Sequence, residues 1–411
     1  MNSSKCVCRN PLFSWFVTAL AVAVIVIPVG ANAQSRRDLL ASRIDLGPSH
    51  RSDRSASKGA QAKAAGHQDV RYKVVNVGVL PGKTNSVLPE EDHILNNLGH
   101  VIGFSYIHTG DANDYYATAQ GFLWQSGKLK PLPLLKGWEG AFATGINDRD
   151  QVAGEANHFD NDGNLRRTAI LWDRGKAIDL GALDSNSDSQ AFSINVWGMV
   201  VGRNRNRDDG QSTAVVWYGG AIHPLPLLAG ETDSVAFGIN DLGVIAGIQL
   251  QGDANQLPCV WYWNGSGYTA FSLGSFGGDY GQANDINDLG QAVGWSLFAG
   301  DLHGPAFVWD FRGLHALPAL PGDSDGVAQA INDFGQIVGF SLLFDDDGEF
   351  ISQRIAIWQN GAVADLQTLV PQGTPEITDI GNVNLLGQIA VETGSFDDGT
   401  LAGYLLIPRG H

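Results

Sequence analysis

The sequence predicts an all-β fold, a seven-bladed β-propeller of four-stranded blades that is closed by the N-terminal strand completing the last blade. A short pattern, Ile-Asn-Asp-x-Gly-Gln-x-x-Gly, returns every 45 to 52 residues, and further strand-like segments follow each return. The repeat region also begins with a fourth-strand segment, which the last repeat lacks. The seven asparagines of the pattern are Asn96, Asn147, Asn195, Asn240, Asn287, Asn332 and Asn384. Below, units 1 to 7 are numbered by these residues.

Composition agrees with a turn-rich β protein. Of 411 residues only 17% are charged, and 52 are glycine. The net charge is −17, and the first 71 residues are net basic, so the repeats are more acidic than the whole chain. A nucleic-acid-binding face would be basic, so we expect no nucleic-acid partner. The acidity permits a cation or a basic partner, although solubility alone also explains it.

Residues 1–33 have the pattern of a secretory signal peptide. Lys5 and Arg9 precede an apolar run from Leu12 to Val29, and Ala31-Asn32-Ala33 forms a cleavage site. An uncleaved membrane anchor is the alternative, because the apolar run approaches spanning length. Cleavage would leave a secreted or periplasmic protein without a membrane span.

Residues 34–70 are rich in Ser, Ala, Arg and Gly and have no apolar periodicity, which predicts a flexible basic linker. Residues 71–411 then form the propeller, which we expect to be a monomer. Cys259 is the only cysteine after the leader, so no intramolecular disulfide can form. It occupies an apolar strand position, which predicts a buried small hydrophobe.

The first two strands of each unit flank the repeated asparagine. An alanine four positions before it fits a strand crowded near the axis, as in Ala143, Ala191, Ala236, Ala283 and Ala328. Three positions after the asparagine, six units have glycine and unit 2 has Asp150, which predicts a hairpin turn with a left-handed residue. The second strand then ends at a further glycine.

The third strand ends in tryptophan in six units, and an outer fourth strand follows it. These residues are Trp124, Trp172, Trp217, Trp261, Trp309 and Trp358. The apolar run before each tryptophan predicts burial between neighbouring sheets rather than a carbohydrate platform. Trp138 breaks this register, and we expect it to be the best candidate for an exposed contact.

The two ends of the chain decide between an open array and a ring. After Asn384 the chain supplies only three strands, and it ends without a fourth. Val74 to Gly82 matches the fourth-strand segment Leu317 to Gly322 of unit 6. The missing strand of the last unit therefore lies at the N-terminus, and this arrangement predicts closure.

The repeats resemble the bacterial extracellular HAF repeat family over residues 72–411. Three segments carry the resemblance in fixed order: Leu273–Gly278, Ile286–Gly294 and Pro305–Trp309. The His-Ala-Phe element itself is interrupted, because Gly304 and Pro305 separate His303 from Ala306. The resemblance implies an extracellular location and no particular activity or site residue.

The loops between strands two and three, together with the loops between blades, share one face of a propeller. They are variable and acidic, so we expect the binding surface there and call it the loop face. Their alternating acids could bind Ca²⁺ as a cofactor, since hard cations take several oxygen ligands. The candidate residues are Asp160, Asp162, Asp345, Asp347 and Glu349. The alternative is that these are ordinary Asp-Gly turns.

We therefore expect a non-enzymatic propeller that binds an extracellular protein or a glycan through the loop face. The alternative is an enzyme acting on polysaccharide, a lyase or glycosidase, with carboxylates at the channel mouth. Asp92 and Asp285, in or beside first strands, are its candidates. The G-x-S-x-G match at Gly322–Gly326 joins two strands, whereas a nucleophile elbow needs a strand-to-helix turn, so it is attributed to chance.

Overall fold

The computed structural model describes residues 72–89, 93–108, 114–252, 254–300, 303–345, 350–394 and 400–409. The predicted signal peptide and linker lie outside these ranges. Within them, no helix has the length and apolar character needed to cross a membrane. The described residues include a short α-helix, α1, at Asp114–Thr118 and a 3-10 turn at Leu366–Leu369.

The strands are numbered β1 to β28 in chain order. The first fourteen are β1 Tyr72–Asn76, β2 Asn85–Val87, β3 Val101–Tyr106, β4 Gln120–Gln125, β5 Lys128–Pro131, β6 Gly140–Ile146, β7 Val152–Phe159, β8 Leu165–Asp173, β9 Lys176–Asp179, β10 Ser187–Ile194, β11 Val200–Asn206, β12 Ser212–Tyr218, β13 Ala221–Pro224 and β14 Asp233–Ile239. The others are β15 Ile245–Leu250, β16 Gln256–Trp263, β17 Tyr268–Ser272, β18 Gly277–Ile286, β19 Ala292–Phe298, β20 Ala306–Asp310, β21 Gly313–Ala316, β22 Asp325–Ile331, β23 Ile337–Phe344, β24 Phe350–Gln359, β25 Ala362–Asp365, β26 Ile377–Val383, β27 Ile389–Thr393 and β28 Ala402–Pro408.

The strands form an all-β propeller fold with four-stranded blades. Five four-stranded sheets are separate: β2–β5, β6–β9, β10–β13, β22–β25, and β26–β28 together with β1. Strands β14 to β21 belong instead to one eight-stranded sheet, so the structure shows five separate four-stranded blades and not the seven blades that the sequence predicts. The reason is local, because a single parallel pairing of Gln256 with Tyr280 joins β16 to β18.

The two ends of the chain share a sheet. β1 pairs antiparallel with β28, with Tyr72 opposite Pro408 and Asn76 opposite Tyr404. The backbone N–H of Val77 continues this pairing by donating to the carbonyl of Gly403 (2.9 Å). The first described strand therefore supplies the outer edge of the last unit's sheet.

In six units the second strand contains a glycine that a close backbone approach requires. The prediction that this glycine ends the strand is wrong, because every one of these strands continues for at least three residues beyond it, as β3 does from Gly103 to Tyr106. At these positions an added Cβ would lie 1.8 to 2.4 Å from a backbone oxygen of the neighbouring first strand. The glycines are Gly103, Gly154, Gly202, Gly247, Gly294 and Gly339. The inner strands of a blade are therefore packed at backbone contact, and no side chain fits there.

Replacing Gly294 by alanine is expected to lower the free energy of unfolding by about 1–3 kcal/mol, because the methyl group would overlap the carbonyl oxygen of Gln282. Urea denaturation followed by tryptophan fluorescence measures the change. Gly267→Ala is the control, since an added Cβ there meets nothing within 4 Å. Equal unfolding midpoints for the two variants would contradict the close-approach explanation.

Tryptophans fill the space between sheets, as predicted, and Trp124, Trp172, Trp217, Trp261 and Trp358 are buried. The indole N–H groups of three, Trp172, Trp261 and Trp358, donate to proline carbonyls that lie 35 to 40 residues earlier in the chain (2.7–2.8 Å). Trp309 is half-buried. The predicted burial of Cys259 is confirmed.

The expectation for Trp138 is wrong. Its ring is partly buried against the apolar core of the first units and meets the ring of His158 edge-on, with centroids 4.7 Å apart. The exposed tryptophans are Trp197 and Trp263. An inter-blade loop can fold back over the core, and sequence position alone does not show whether it does.

Candidate functional site: the central cavity and its turn face

The seven repeated asparagines, called here the ring asparagines, connect successive units. Each is buried, and its side-chain Nδ2 donates to the backbone carbonyl of the ring asparagine in the next unit. These bonds are 2.8 to 3.2 Å long and run through all seven residues. The last one returns from Asn384 to Asn96 (2.9 Å), so the series of hydrogen bonds is cyclic.

The same side chains also shape the hairpin turns. The Oδ1 atom of Asn332 accepts from the backbone N–H groups of Phe334 and Gln336, both at 3.0 Å, and the other units repeat this pattern. The predicted left-handed residue is present, with Asp150 at φ 58° and the six glycines between 68° and 82°. Each ring asparagine thus pairs backbone N–H groups of its own turn and a backbone carbonyl of the neighbouring unit.

The residue after each ring asparagine forms a second circle. In chain order this position holds Asn97, Asp148, Val196, Asp241, Asp288, Asp333 and Leu385. We call its four carboxylates the rim acids. Each accepts the backbone N–H of the equivalent residue one unit earlier, at 2.8 Å, and Asn97 accepts in the same way from Leu385 at 2.9 Å.

Three rim acids, Asp241, Asp288 and Asp333, are consecutive along the circle. Partial burial raises the pKa of Asp288, the hydrogen bond from the Asp241 N–H opposes this rise, and the charges of Asp241 and Asp333 add to it. Like charges held side by side disfavour ionisation of their neighbours. This arc is therefore a place where a positive charge would relieve repulsion.

A cavity of about 140 Å³, open to solvent, lies inside these circles. Its wall combines the ring asparagines, the rim acids and the aliphatic residue before each ring asparagine. The aliphatic residues are Leu95, Ile146, Ile194, Ile239, Ile286, Ile331 and Val383. The lining is completed by Asn97, Val196, Leu385, His93, Asp285 and Asn382, so the wall combines aliphatic side chains with polar and acidic ones.

A buried bridge joins three units across this cavity. His93 of unit 1 places Nε2 2.7 Å from Oδ1 of Asp285 in unit 5, and its Nδ1 lies 3.1 Å from Oγ of Ser193 in unit 3. Both Asp285 oxygens also accept backbone N–H groups, from Ile286 (2.6 Å) and Ile331 (2.9 Å). The bridge therefore links units 1, 3 and 5 and fixes the Asp285 carboxylate.

The charge state of His93 follows from this bridge. Burial alone would lower its pKa, but the charge of Asp285, the hydrogen bond to it and the charge of Asp241 raise the pKa overall. A raised folded-state pKa means that the folded protein binds the proton more tightly than the unfolded chain. The resulting stabilisation is complete below the unfolded value of about 6.5 and is lost as pH rises through the raised pKa.

Melting temperatures measured between about pH 6 and pH 9 are expected to show this loss, and His93→Gln is expected to flatten its alkaline side. The comparison is made by differential scanning fluorimetry in buffers of constant ionic strength. His315→Gln is the control, because His315 pairs with Asp310 on the surface. A His93→Gln profile parallel to that of the unmodified protein would show that the bridge does not titrate in this range.

Large apolar side chains surround the cavity mouth on the turn face, the face formed by the hairpins of the ring asparagines. They stand two positions after the ring asparagines and are 58 to 72% exposed. We call them the crown: Leu98, Trp197, Leu242, Leu289, Phe334 and Leu386. Unit 2 has Arg149 instead, whose guanidinium lies 5.6 Å from the centre of the Trp197 ring.

The predicted calcium residues that the structure describes, Asp160, Asp162 and Asp345, lie elsewhere, on the loop face. Oδ1 of Asp160 accepts the backbone N–H groups of Asp162 (3.0 Å) and Asn164 (2.9 Å), and Oδ2 accepts from Arg166 (2.8 Å). These bonds, that to Asn164 first, lower the pKa of Asp160 to about 2. Its carboxylate is thus already used to hold its own turn.

The other calcium candidates remain predictions. Asp162 is exposed and Asp345 is half-buried, whereas Asp347 and Glu349 lie outside the described residues. Among the side chains that the structure describes, no three or more His, Cys, Asp or Glu are grouped as metal ligands.

Sequence reasoning located one residue of the cavity and missed its partners. Asp285 reaches the axis as expected, and Asp92 lies outside the described residues. His93 and Ser193 were missed because they are 100 residues apart in the chain and occupy positions that differ between units. The crown did have a signal: six large apolar residues at the same position of a solvent-exposed turn.

Comparisons with known proteins find structural neighbours at low sequence identity. No protein-family model matches the chain, and no curated protein matches it. The propeller domain of the Trilobed protease from Pyrococcus furiosus is 10% identical, with 80% of this chain and 96% of that one covered and a TM-score of 0.46. TolB from Acinetobacter baumannii is 12% identical, with 65% and 66% covered and a TM-score of 0.39, so the chain spans just under two thirds of TolB. Trypanosoma rangeli sialidase is 10% identical, with 82% and 58% covered and a TM-score of 0.42.

Proposed function

We propose that this protein is a secreted or periplasmic, non-enzymatic propeller that binds an extracellular partner through its turn face. The observation that carries the proposal is the crown around the central cavity. Contiguous exposed apolar patches are rare on soluble proteins unless they contact something. Here six units repeat the exposure at one structural position, so it is a property of the face rather than of one residue.

The turn face supports binding better than the loop face that the sequence favoured. Several loop-face acids are already paired, including Asp160 with Arg166, Asp188 with Arg207 and Asp323 with Arg354. Ion pairs of this kind hold loops in place. The crown residues instead keep most of their apolar surface in water, and burying a side chain such as leucine or phenylalanine contributes about 1.5–3 kcal/mol.

We also propose that the eight-stranded sheet is two neighbouring blades, which gives seven units in a closed ring. Its strands divide at a single parallel pairing, Gln256 with Tyr280. The cyclic series of ring asparagines and the pairing of β1 with β28 support closure. Membership of the HAF repeat family remains a proposal resting on the motifs of the sequence.

Enzymatic action on polysaccharide is the less favoured reading. Both Asp285 oxygens have partners, and Ser193 is fully buried, so neither is free to attack a glycosidic bond. An activity screen on plant and bacterial polysaccharides, with Asp285→Asn alongside, tests this directly. Turnover that is lost in a folded Asp285→Asn variant would overturn the binding proposal.

The binding proposal is tested with the mature chain against a phage-displayed peptide library and a glycan array. We expect ligands that are lost in the crown variant Leu289→Ser/Phe334→Ser. The matched control is Phe298→Ser/Ile351→Ser, which removes exposed apolar side chains at the ends of loop-face strands. Ligands that survive the crown variant and are lost in the control would place binding on the loop face and overturn the proposal.

A further inference from the structure

We infer that the partner presents a basic side chain, lysine or arginine, which enters the mouth of the cavity while apolar residues beside it pack on the crown. This inference rests on the proposed function and adds the chemistry of the bound segment. It commits to a peptide segment of an extracellular protein as the occupant.

Negative charge is concentrated at the rim of the cavity. Asp241, Asp288 and Asp333 occupy three consecutive positions of the rim, and Asp148 lies two positions before Asp241. Arg149 is the one basic residue at the crown position, and its guanidinium lies 5.6 Å from the centre of the Trp197 ring. An inserted cation would therefore meet carboxylates on most sides, and apolar surface beyond them strengthens the attraction by excluding water.

The cavity wall offers more hydrogen-bond acceptors than donors. Every ring asparagine uses one Nδ2 hydrogen on a neighbouring carbonyl. Five of the seven use the second hydrogen on another side chain, so the ring offers the cavity few amide donors. Asn382, 8% exposed and part of the cavity lining, has an Oδ1 acceptor without a hydrogen-bond partner. A wall that offers acceptors suits a group that only donates, as ammonium and guanidinium groups do.

The negative charge of the rim disfavours other occupants of the crown. A second copy docked face to face would bring two circles of rim acids together, which like-charge repulsion opposes. Anionic lipid and nucleic acid are repelled in the same way. A basic segment with apolar neighbours satisfies the rim and the crown together, whereas a neutral apolar segment satisfies only the crown.

Peptides selected on the mature chain are the first test. We expect the crown-dependent peptides to share one lysine or arginine flanked by apolar residues. Crown-dependent peptides without a basic residue would overturn this inference and leave the proposed function standing. A library that yields no crown-dependent peptide counts against both.

Defined probes are the second test, using acetyl-Leu-Leu-Arg-Leu-Leu-amide and the same peptide with uncharged citrulline in place of arginine. Isothermal titration is expected to show at least about tenfold tighter binding of the arginine peptide. Asp288→Asn/Asp333→Asn should remove this difference, because asparagine keeps the Oδ1 acceptor of the rim and loses the charge. Leu289→Ser should weaken both peptides. Equal affinities for the two peptides overturn the inference.

Two further measurements address the other occupants. Light scattering would overturn the inference if it showed a dimer that Leu289→Ser dissolves, because the crown would then be a contact between copies. Sedimentation with phosphatidylcholine vesicles would overturn it if the protein bound them through the crown. The expected result is a monomer that does not sediment with these vesicles.

Discussion

Replacement of Asn332 by alanine is expected to lower the free energy of unfolding by about 3–5 kcal/mol. The Asn332 side chain accepts from the backbone N–H groups of Phe334 and Gln336 and donates to the carbonyl of Asn384 (2.9 Å). Alanine leaves the two N–H groups without partners at a position that is 6% exposed, and the Asn384 carbonyl keeps only the N–H of Gly387. Each unpaired buried group costs about 1–3 kcal/mol, and water at the turn reduces the sum. Urea denaturation measures the loss.

Two variants separate the hydrogen bonds from general truncation. Asn332→Asp keeps the two accepting bonds, loses the donor and places a carboxylate near a carbonyl, so an intermediate loss is expected. Asn161→Ala removes an exposed loop-face side chain and should change stability by less than about 0.5 kcal/mol. A loss for Asn332→Ala no larger than that of Asn161→Ala would mean that the ring asparagines do not join the units.

The repeat pattern predicted the scaffold because its constraints act within one unit. The turn glycine of six units is required by a positive backbone angle, and the glycine within the second strand is required by a carbonyl oxygen at contact distance. The tryptophan of the third strand fills the gap to the next sheet. The eight-stranded sheet escaped prediction because a single pairing between Gln256 and Tyr280 depends on how two sheets meet.

The site was harder to predict because its parts come from different units. His93 meets Asp285 across 192 residues, and no sibling unit has a comparable pair at these positions. The crown was visible in the sequence as a row of leucines and aromatic residues. These hairpin turns are short and uniform, and uniformity is what a symmetric contact surface around an axis requires.

Replacement of Asp285 by alanine is expected to cost about 3–5 kcal/mol, because it removes one partner of a buried charge pair. Its carboxylate accepts from His93 (2.7 Å) and from the N–H groups of Ile286 (2.6 Å) and Ile331 (2.9 Å). The two N–H groups would lie unpaired in the inner strands, and His93 would lose the charge that raises its pKa. Chemical denaturation at pH 6 measures the total, and repetition at pH 9 separates the contribution of charged His93.

A double-mutant cycle assigns the effect to the bridge itself. If His93 and Asp285 interact as the structure shows, the combined variant His93→Gln/Asp285→Ala is expected to lose less than the sum of the single losses, by about 1–3 kcal/mol at pH 6. This coupling should shrink as pH rises and His93 loses its proton, whereas the cost of the two unpaired N–H groups should remain. Asp209→Ala, an exposed loop acid, is the control for loss of a carboxylate. Strict additivity at pH 6 would show that Asp285 stabilises the strands alone and that units 1 and 5 are not held together across the cavity.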